Sequence, residues 1–575
     1  MRAKRPFPTG PTGWCVISIP DMATTTDPVP GAGSTGAAHG STDAAAGTPS
    51  DDHTSAGGGE PSRFPYRTIA MGAVGSTLLM LAALGAGGIL IRDPVLGHGP
   101  LSWIRYGHGK ALATAMLYVG FALVVWAWVR LGRYVLARRV GTRPVLIAAG
   151  CWMAPLLISP PLFTRDVFSY LGQGAQLLYG LDPYANGPAE LDVLPDVVQN
   201  VHSLWQTTPA PYGPLFLLVA KGIVGFTGNN MILGVIITRL VLLIGLGMML
   251  WALPRLVRHL GGRLPVTMWL AIASPMTVIH LVGGPHNDLL MLGFLTIGVL
   301  AALERKHVLA IVLVTVGMLI KPTAALALPF LVWIWANHLP GDNLRRNFFR
   351  AVTPSLGIFG AIFVSGTWLS LGSFNLGWIS GMEAPTLITN WLNFPTGIGE
   401  IVYNLVHLLV EVPSSPFVTV ARLIAYVLLA VFAVRQWWLA RHGGNEAILR
   451  MAMTLLAVAI LAPPTLPWYL TWGFVIASTF PWQRRHLAIV VAVSVVLVLV
   501  YYPTGEQALY DWWFIAIVVA ASLYAAASLL RPDPLGLIAA WRKPEDQAPA
   551  PEDPGATPEA VSHTPPTNSA PTRRT

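Results

Sequence analysis

A long succession of apolar runs, many of them close to the ~20 residues that carry a helix across a bilayer, sets the terms for this sequence. The runs lie at 69–91, 112–131, 145–162, 231–253, 265–282, 287–303, 307–320, 323–337, 351–371, 416–438, 448–462, 467–481, 486–503 and 510–530. Hydrocarbon offers no partner to a backbone N–H or C=O, so runs of this length must satisfy themselves as helices. The predicted fold is all-α and polytopic, with about 12–14 transmembrane helices. Runs shorter than a perpendicular span are expected to be tilted or broken. Only 11% of residues are charged, against about 25% in an average soluble chain, which excludes a soluble enzyme of this length. The formal net charge of +9 does not indicate nucleic acid, because the Arg and Lys residues sit in short loops between apolar runs and so report topology. Cys15 and Cys151 are the two cysteines, which leaves no disulfide framework and no Cys-rich metal site.

Three segments follow. Residues 1–64, rich in Gly, Ala, Ser, Thr and Pro, read as a disordered cytoplasmic tail. They hold no signal peptide, because the basic start lacks an apolar core behind it; Met22 is an alternative start to Met1. Residues 65–532 form the transmembrane catalytic domain, and 533–575 a second disordered cytoplasmic tail. Two further runs, 213–227 and 396–412, are interrupted by Gly, Lys or Glu and read as re-entrant or interfacial. With those two not crossing, the basic clusters Arg130–Arg143, Arg255–Arg263, Arg305–Lys306, Arg345–Arg350, Arg435–Arg450, Arg484–Arg485 and Arg531 all fall on the cytoplasmic side. The opposite side then receives 92–110, 163–230, 283–288, 372–415, 463–467 and 504–509. Loop 92–110, with Arg92, Arg105 and Lys110, fits that rule least well.

On this outer side, chemistry-bearing residues gather. Asp166 stands where an apolar run emerges, and a carboxylate placed there usually marks function. It opens a segment with Phe168, Tyr170, Tyr179 and the turn Asp182-Pro183-Tyr184, expected to be an ordered, partly helical surface loop. Nearby loops bring His286, Asn287 and Asp288, then Tyr212, then Trp468. Acids and amides pair sugar hydroxyls and aromatic faces cover apolar sugar faces. No Walker A loop or strand–GxGxxG–helix unit is present, so a lipid-phosphate-linked sugar suits an outer site better than a nucleotide sugar. Displacing a lipid phosphate needs a base for the acceptor hydroxyl and a cation for the departing phosphate. Asp166 is the candidate base, and Lys321, with His286 and Arg165, the candidate phosphate ligand. Asn287, Asp288, Tyr170, Tyr212 and Trp468 are candidate substrate contacts. Plainer readings stand beside these: Asn287 and Asp288 as helix caps, Lys321 snorkelling to the interface, Tyr212 and Trp468 as interfacial anchors. Arg239 and Arg422 lie inside runs, where a charge binds phosphate or pairs with backbone. No metal site and no cofactor are expected.

The segments RDVFSYLGQGAQLLYGLDPYANGP at 165–188, TTPAPYGPLF at 207–216 and GGPHNDLLMLG at 283–293 resemble the actinobacterial polyprenyl-phosphate-mannose-dependent α-1,6-mannosyltransferases of lipomannan and lipoarabinomannan assembly. LSWIRYGHG at 101–109, AALALPFLVWIW at 324–335 and LPWYLTW at 466–472 look like the branch that elongates the distal mannan backbone. The resemblance runs in order from about residue 65 to 530. It implies a GT-C glycosyltransferase fold in the plasma membrane with an extracytoplasmic site, and Asp166 as base. It also implies a β-linked polyprenyl-phosphate-mannose donor, a lipid-anchored mannan acceptor and inversion to an α linkage. An arabinosyl or branching transferase, or a lipid-linked-sugar flippase, are the alternatives.

Overall fold

The computed structural model describes residues 64–535 apart from Ile89, Thr389 and Asp533. Nearly all of both expected tails, and the choice between Met1 and Met22, lie outside the described residues. Within them the apolar runs are helical, and the one β feature is an isolated bridge between Tyr501 and Gln507. Six helices are long and apolar enough to cross a membrane: Gly107–Leu136, Met231–Leu260, Leu344–Leu371, Ser415–His442, Gly444–Leu461 and Trp512–Leu530. The run at 265–282 is a bent pair, Leu264–Ala271 and Met276–Gly283, meeting at 46°. Pro275 lies at the break, where its missing N–H and ring interrupt helical bonding.

Other runs fold as shorter helices than a full span, among them Asp288–Leu303 and His307–Ile320. The first has 16 residues and rises about 24 Å at 1.5 Å per residue, short of the ~30 Å hydrocarbon core. Local chemistry sets these ends. Pro322 biases Lys321 away from helical backbone, and Lys321 is extended at φ −141° and ψ 120°. The polar residues of 285–288 and Lys321 thus occupy helix ends inside the bundle.

The segment 163–188 is partly helical as expected, but its helix is not on the surface. Asp166–Leu178 is a helix whose residues Val167 to Gln176 are all buried, packed against helix Pro214–Thr227. Gly174 permits that approach, because a Cβ there would stand 2.5 Å from the Ala220 carbonyl carbon. Helices Met231–Leu260 and Asp288–Leu303 cross the same way at Gly245 and Gly293, where a Cβ on Gly293 would lie 2.6 Å from the Gly245 Cα. The interrupted runs 213–227 and 396–412 form helices Pro214–Thr227 and Phe394–His407, of 14 residues each. At about 21 Å, neither reaches across a bilayer.

Helix Gly107–Leu136, 30 residues long, separates two ends of the bundle by about 45 Å. At its N-terminal end the Asn200 side chain accepts from the Ile91 and Arg92 N–H groups at 2.8 and 3.1 Å and donates to the Arg92 carbonyl at 2.7 Å. Loop 92–110 and segment 163–230 therefore share one end. Arg105 is held locally, 3.9 Å from Asp93 and bonded to the Leu90 carbonyl. At the other end Arg133 donates to the Ser528 and Pro532 carbonyls and Arg263 to that of Val135, so basic loops meet there.

Candidate active site

Asp166 is the first residue of its helix, where the unpaired N–H groups of the first turn favour a negative charge. Its side chain is 21% exposed and its Oδ2 lies 3.4 Å from His286 Nδ1, close enough for charge to act but long for a well-formed hydrogen bond. Burial alone would raise the Asp166 carboxyl; the neighbouring His286, with Thr164 and Lys321, outweighs it and holds the group below its ordinary value. Asp166 is therefore ionised. His286 is 1% exposed and stacks on Trp468 at a centroid distance of 3.6 Å and 20° between planes, which fixes the ring behind the carboxylate.

Lys321 does not snorkel. Its Nζ lies 2.8 Å from both oxygens of Asp288, 4.6 Å from the Tyr469 ring centroid and 5.4 Å from that of Trp472. Trp472 Nε1 donates to the same carboxylate at 2.5 Å. Removing one partner of a buried ion pair strands the other charge, so Lys321→Met should destabilise the protein by about 3–5 kcal/mol. Lys321→Met with Asp288→Leu should recover most of that loss. Thermal unfolding in detergent checks it; a double variant no more stable than the single would contradict the pairing.

These groups surround a cavity of about 690 Å³. Arg165, Asp166, Tyr170, Tyr212, Lys321 and Trp468 line it. His286, Asn287 and Asp288 do not: they lie behind the wall, fully buried, where Asp288 pairs with Lys321 and His286 stacks on Trp468. Nor do Asn287 and Asp288 cap their helix, which has no side-chain cap bond. The Asn287 N–H donates to the Tyr170 hydroxyl at 3.4 Å. Tyr170 meets Tyr212 edge-to-face at 5.0 Å, and burial pushes both phenols well above their ordinary value, so both are neutral hydroxyls. Tyr212 and Trp468 both line the cavity. The Arg165 guanidinium makes no hydrogen bond or ion pair among the described residues; the charge of Glu506 acts on it.

The cavity lining mixes polar side chains, among them Ser169, Gln173, His202 and Thr208, with apolar ones, among them Leu387, Ile388, Val458, Ala462 and Leu466. Ser169, Tyr170 and Gln173 follow Asp166 at i+3, i+4 and i+7, the spacing that stacks side chains on one helix face. That periodicity was present in the sequence and would have added Ser169 and Gln173 to the candidates.

Arg239 and Arg422 bind backbone. Arg239, 2% exposed, donates to the carbonyls of Leu157, Ser159, Pro160, Val282 and Gly283 and to the Ser159 hydroxyl. It ties the chain leading into Asp166 to the chain leading into His286. Arg422 donates to the Thr386 and Ile388 carbonyls and to Thr396 Oγ1. Among the described residues no three His, Cys, Asp or Glu side chains converge as a metal site.

An all-helical bundle with several membrane-crossing helices, carrying an ionised carboxylate on a part-polar, part-apolar cavity, has the makings of a polytopic membrane glycosyltransferase. Residues 69–337 match the family model described as alpha-(1->6)-mannopyranosyltransferase, N-terminal domain, and residues 395–531 the one described as MptB C-terminal domain. Alpha-(1->6)-mannopyranosyltransferase A of Mycobacterium tuberculosis is 37% identical over 82% of this chain and 91% of its own. The protein of that name from Corynebacterium glutamicum is 30% identical over 79% of this chain and 96% of its own. Alpha-(1->6)-mannopyranosyltransferase B of the same organism is 26% identical over 76% of each. No solved structure matches the chain. The chain belongs to the actinobacterial alpha-(1->6)-mannopyranosyltransferase family, and it is a multi-pass membrane mannosyltransferase.

Proposed function

We propose that the protein transfers mannose from polyprenyl-phosphate-mannose to the 6-hydroxyl of a terminal mannose on the growing, lipid-anchored mannan of lipomannan and lipoarabinomannan. The observation that carries this reading is the ionised Asp166 on a cavity lined both by polar side chains, suited to a glycan, and by apolar ones, suited to a prenyl chain. In a single displacement the acceptor oxygen bonds to the anomeric carbon as the bond from that carbon to the phosphate oxygen breaks. The acceptor proton passes to the Asp166 carboxylate, and polyprenyl phosphate leaves. Inversion converts a β-linked donor to an α-linked product. Lys321 is neutralised by Asp288, so Arg165 is the cation with donors left for the phosphate, while Lys321 supports the charge from further in. His286 holds Asp166 and does not touch the donor. A GT-C architecture agrees with this placement of the site at one end of a helical bundle.

The plasma membrane, with the site outside and both termini cytoplasmic, is the proposed setting. The clustering of basic loops at the end of the bundle away from segment 163–230 supports that orientation. Comparing purified protein supplied with polyprenyl-phosphate-mannose, polyprenyl-phosphate-arabinose or a nucleotide-mannose tests the donor. Transfer from the first alone is expected, and preferential use of either other donor would overturn the assignment.

The pH profile offers a second test. The Asp166 carboxyl lies below its ordinary value of 3.8, so the basic form persists until pH falls through that lowered value. Asp166 should contribute no acidic limb to kcat/KM between about pH 5 and pH 8. His286→Gln removes the main group that lowers it and leaves burial to raise it, so an acidic limb should move up toward neutrality. Profiles of kcat/KM against pH for both proteins decide this; coincident profiles would contradict the role given to His286.

A further inference from the structure

We propose that Gln173 forms a subsite for the second mannosyl unit of the acceptor, with Ser169 serving the reacting unit, an inference that rests on the mannosyltransferase reading above. Both side chains line the cavity and both residues are 2% exposed. Ser169 Oγ and Gln173 Oε1 are buried without a hydrogen-bond partner, and the Gln173 amide makes no hydrogen bond to any described residue. Buried polar atoms in native proteins are nearly always paired, and an amide left unpaired at a cavity wall is completed by what enters the cavity. An amide presents both donor and acceptor, which matches the hydroxyls of a hexose, each of which also does both.

Position along the helix separates the two roles. Ser169 and Gln173 stand three and seven residues beyond Asp166, about 4.5 Å and about 10.5 Å further along the axis. The first distance keeps Ser169 beside the sugar whose hydroxyl meets Asp166. The second lies beyond one hexose ring and falls on the next unit of the chain. The direction is also one a glycan can take. From Asp166 through Gln173 the helix runs toward its exposed end at Leu178 and Tyr179, and the polar loop residues His202 and Thr208 line the same cavity.

The test compares a monomannoside with an α-1,6-dimannoside as acceptors for the full-length protein, with polyprenyl-phosphate-mannose as donor. In wild type the dimannoside should have the higher kcat/KM. Gln173→Met should reduce the ratio of kcat/KM for dimannoside over monomannoside about fivefold, chiefly through KM, as expected for losing one hydrogen-bonding group. Ser169→Ala should lower both acceptors in step and leave the ratio alone. Should Gln173→Met not fold, Gln173→Asn, which keeps the amide but shortens its reach, should give an intermediate ratio. A ratio unchanged by the Gln173 substitution, or a loss equal for both acceptors, overturns the subsite while leaving the mannosyltransferase reading intact. Wild-type protein that transfers mannose to neither acceptor overturns that reading, and the subsite with it.

Discussion

Asp166→Asn should reduce mannosyl transfer about 100-fold or more, the range a positioned general base supplies, while donor binding and thermal stability change little. The substitution keeps the size of the side chain and its capacity to accept from Thr164, so the loss isolates the proton acceptor. Of the two carboxylates lining the cavity, Asp166 and Glu506, Glu506 is exposed, and its charge acts on Arg165 and His202, whereas Asp166 is held by His286. Glu506→Gln is therefore expected to have a much smaller effect. Transfer rates in membranes with matched protein levels check both. Normal transfer by Asp166→Asn would remove Asp166 from the mechanism.

Arg239→Met should be the most damaging change outside the cavity. The guanidinium closes a gap between two broken helical segments, one ending at Leu157 and the other at Gly283, whose last carbonyls have no partner within their own helices. Without it, the carbonyls of Leu157, Ser159, Pro160 and Val282 lose the guanidinium as donor, and that of Gly283 keeps only the Leu162 N–H. Each buried polar group left unpaired costs about 1–3 kcal/mol, so a loss of several kcal/mol is expected, with Asp166 and His286 no longer held in register. Arg239→Lys keeps the charge but not the planar fork, and should fall between. Unfolding midpoints in detergent and transfer rates measure this. A stable, active Arg239→Met protein would show that the clamp contributes nothing.

Much of the fold was legible because a membrane allows few solutions. The apolar runs became helices, and the breaks fell where Pro275 and Pro322 act through local sterics. The depth of the helix opening at Asp166 was not legible, because its burial depends on Gly174 meeting the backbone of a helix some forty residues on. Asp166, Arg165 and Lys321 stood out as charges beside apolar runs, and all three line the cavity. The Lys321–Asp288 pairing was hidden, since it joins ends of two different helices. The amphipathic ring of Trp468 suits a headgroup layer and a sugar site equally well, and its stacking on His286 joins two distant segments with no signature in the sequence. Arg239 carried the general signal of a charge within an apolar run, but its partners are backbone carbonyls with no sequence signature.

The most direct test supplies purified wild-type protein in liposomes with radiolabelled polyprenyl-phosphate-mannose and an α-1,6-dimannoside. The account predicts a labelled trisaccharide whose new linkage is α-1,6, with release of polyprenyl phosphate. Labelled lipid that crosses the bilayer with its glycosidic bond intact, and no labelled saccharide, would contradict it and favour a flippase.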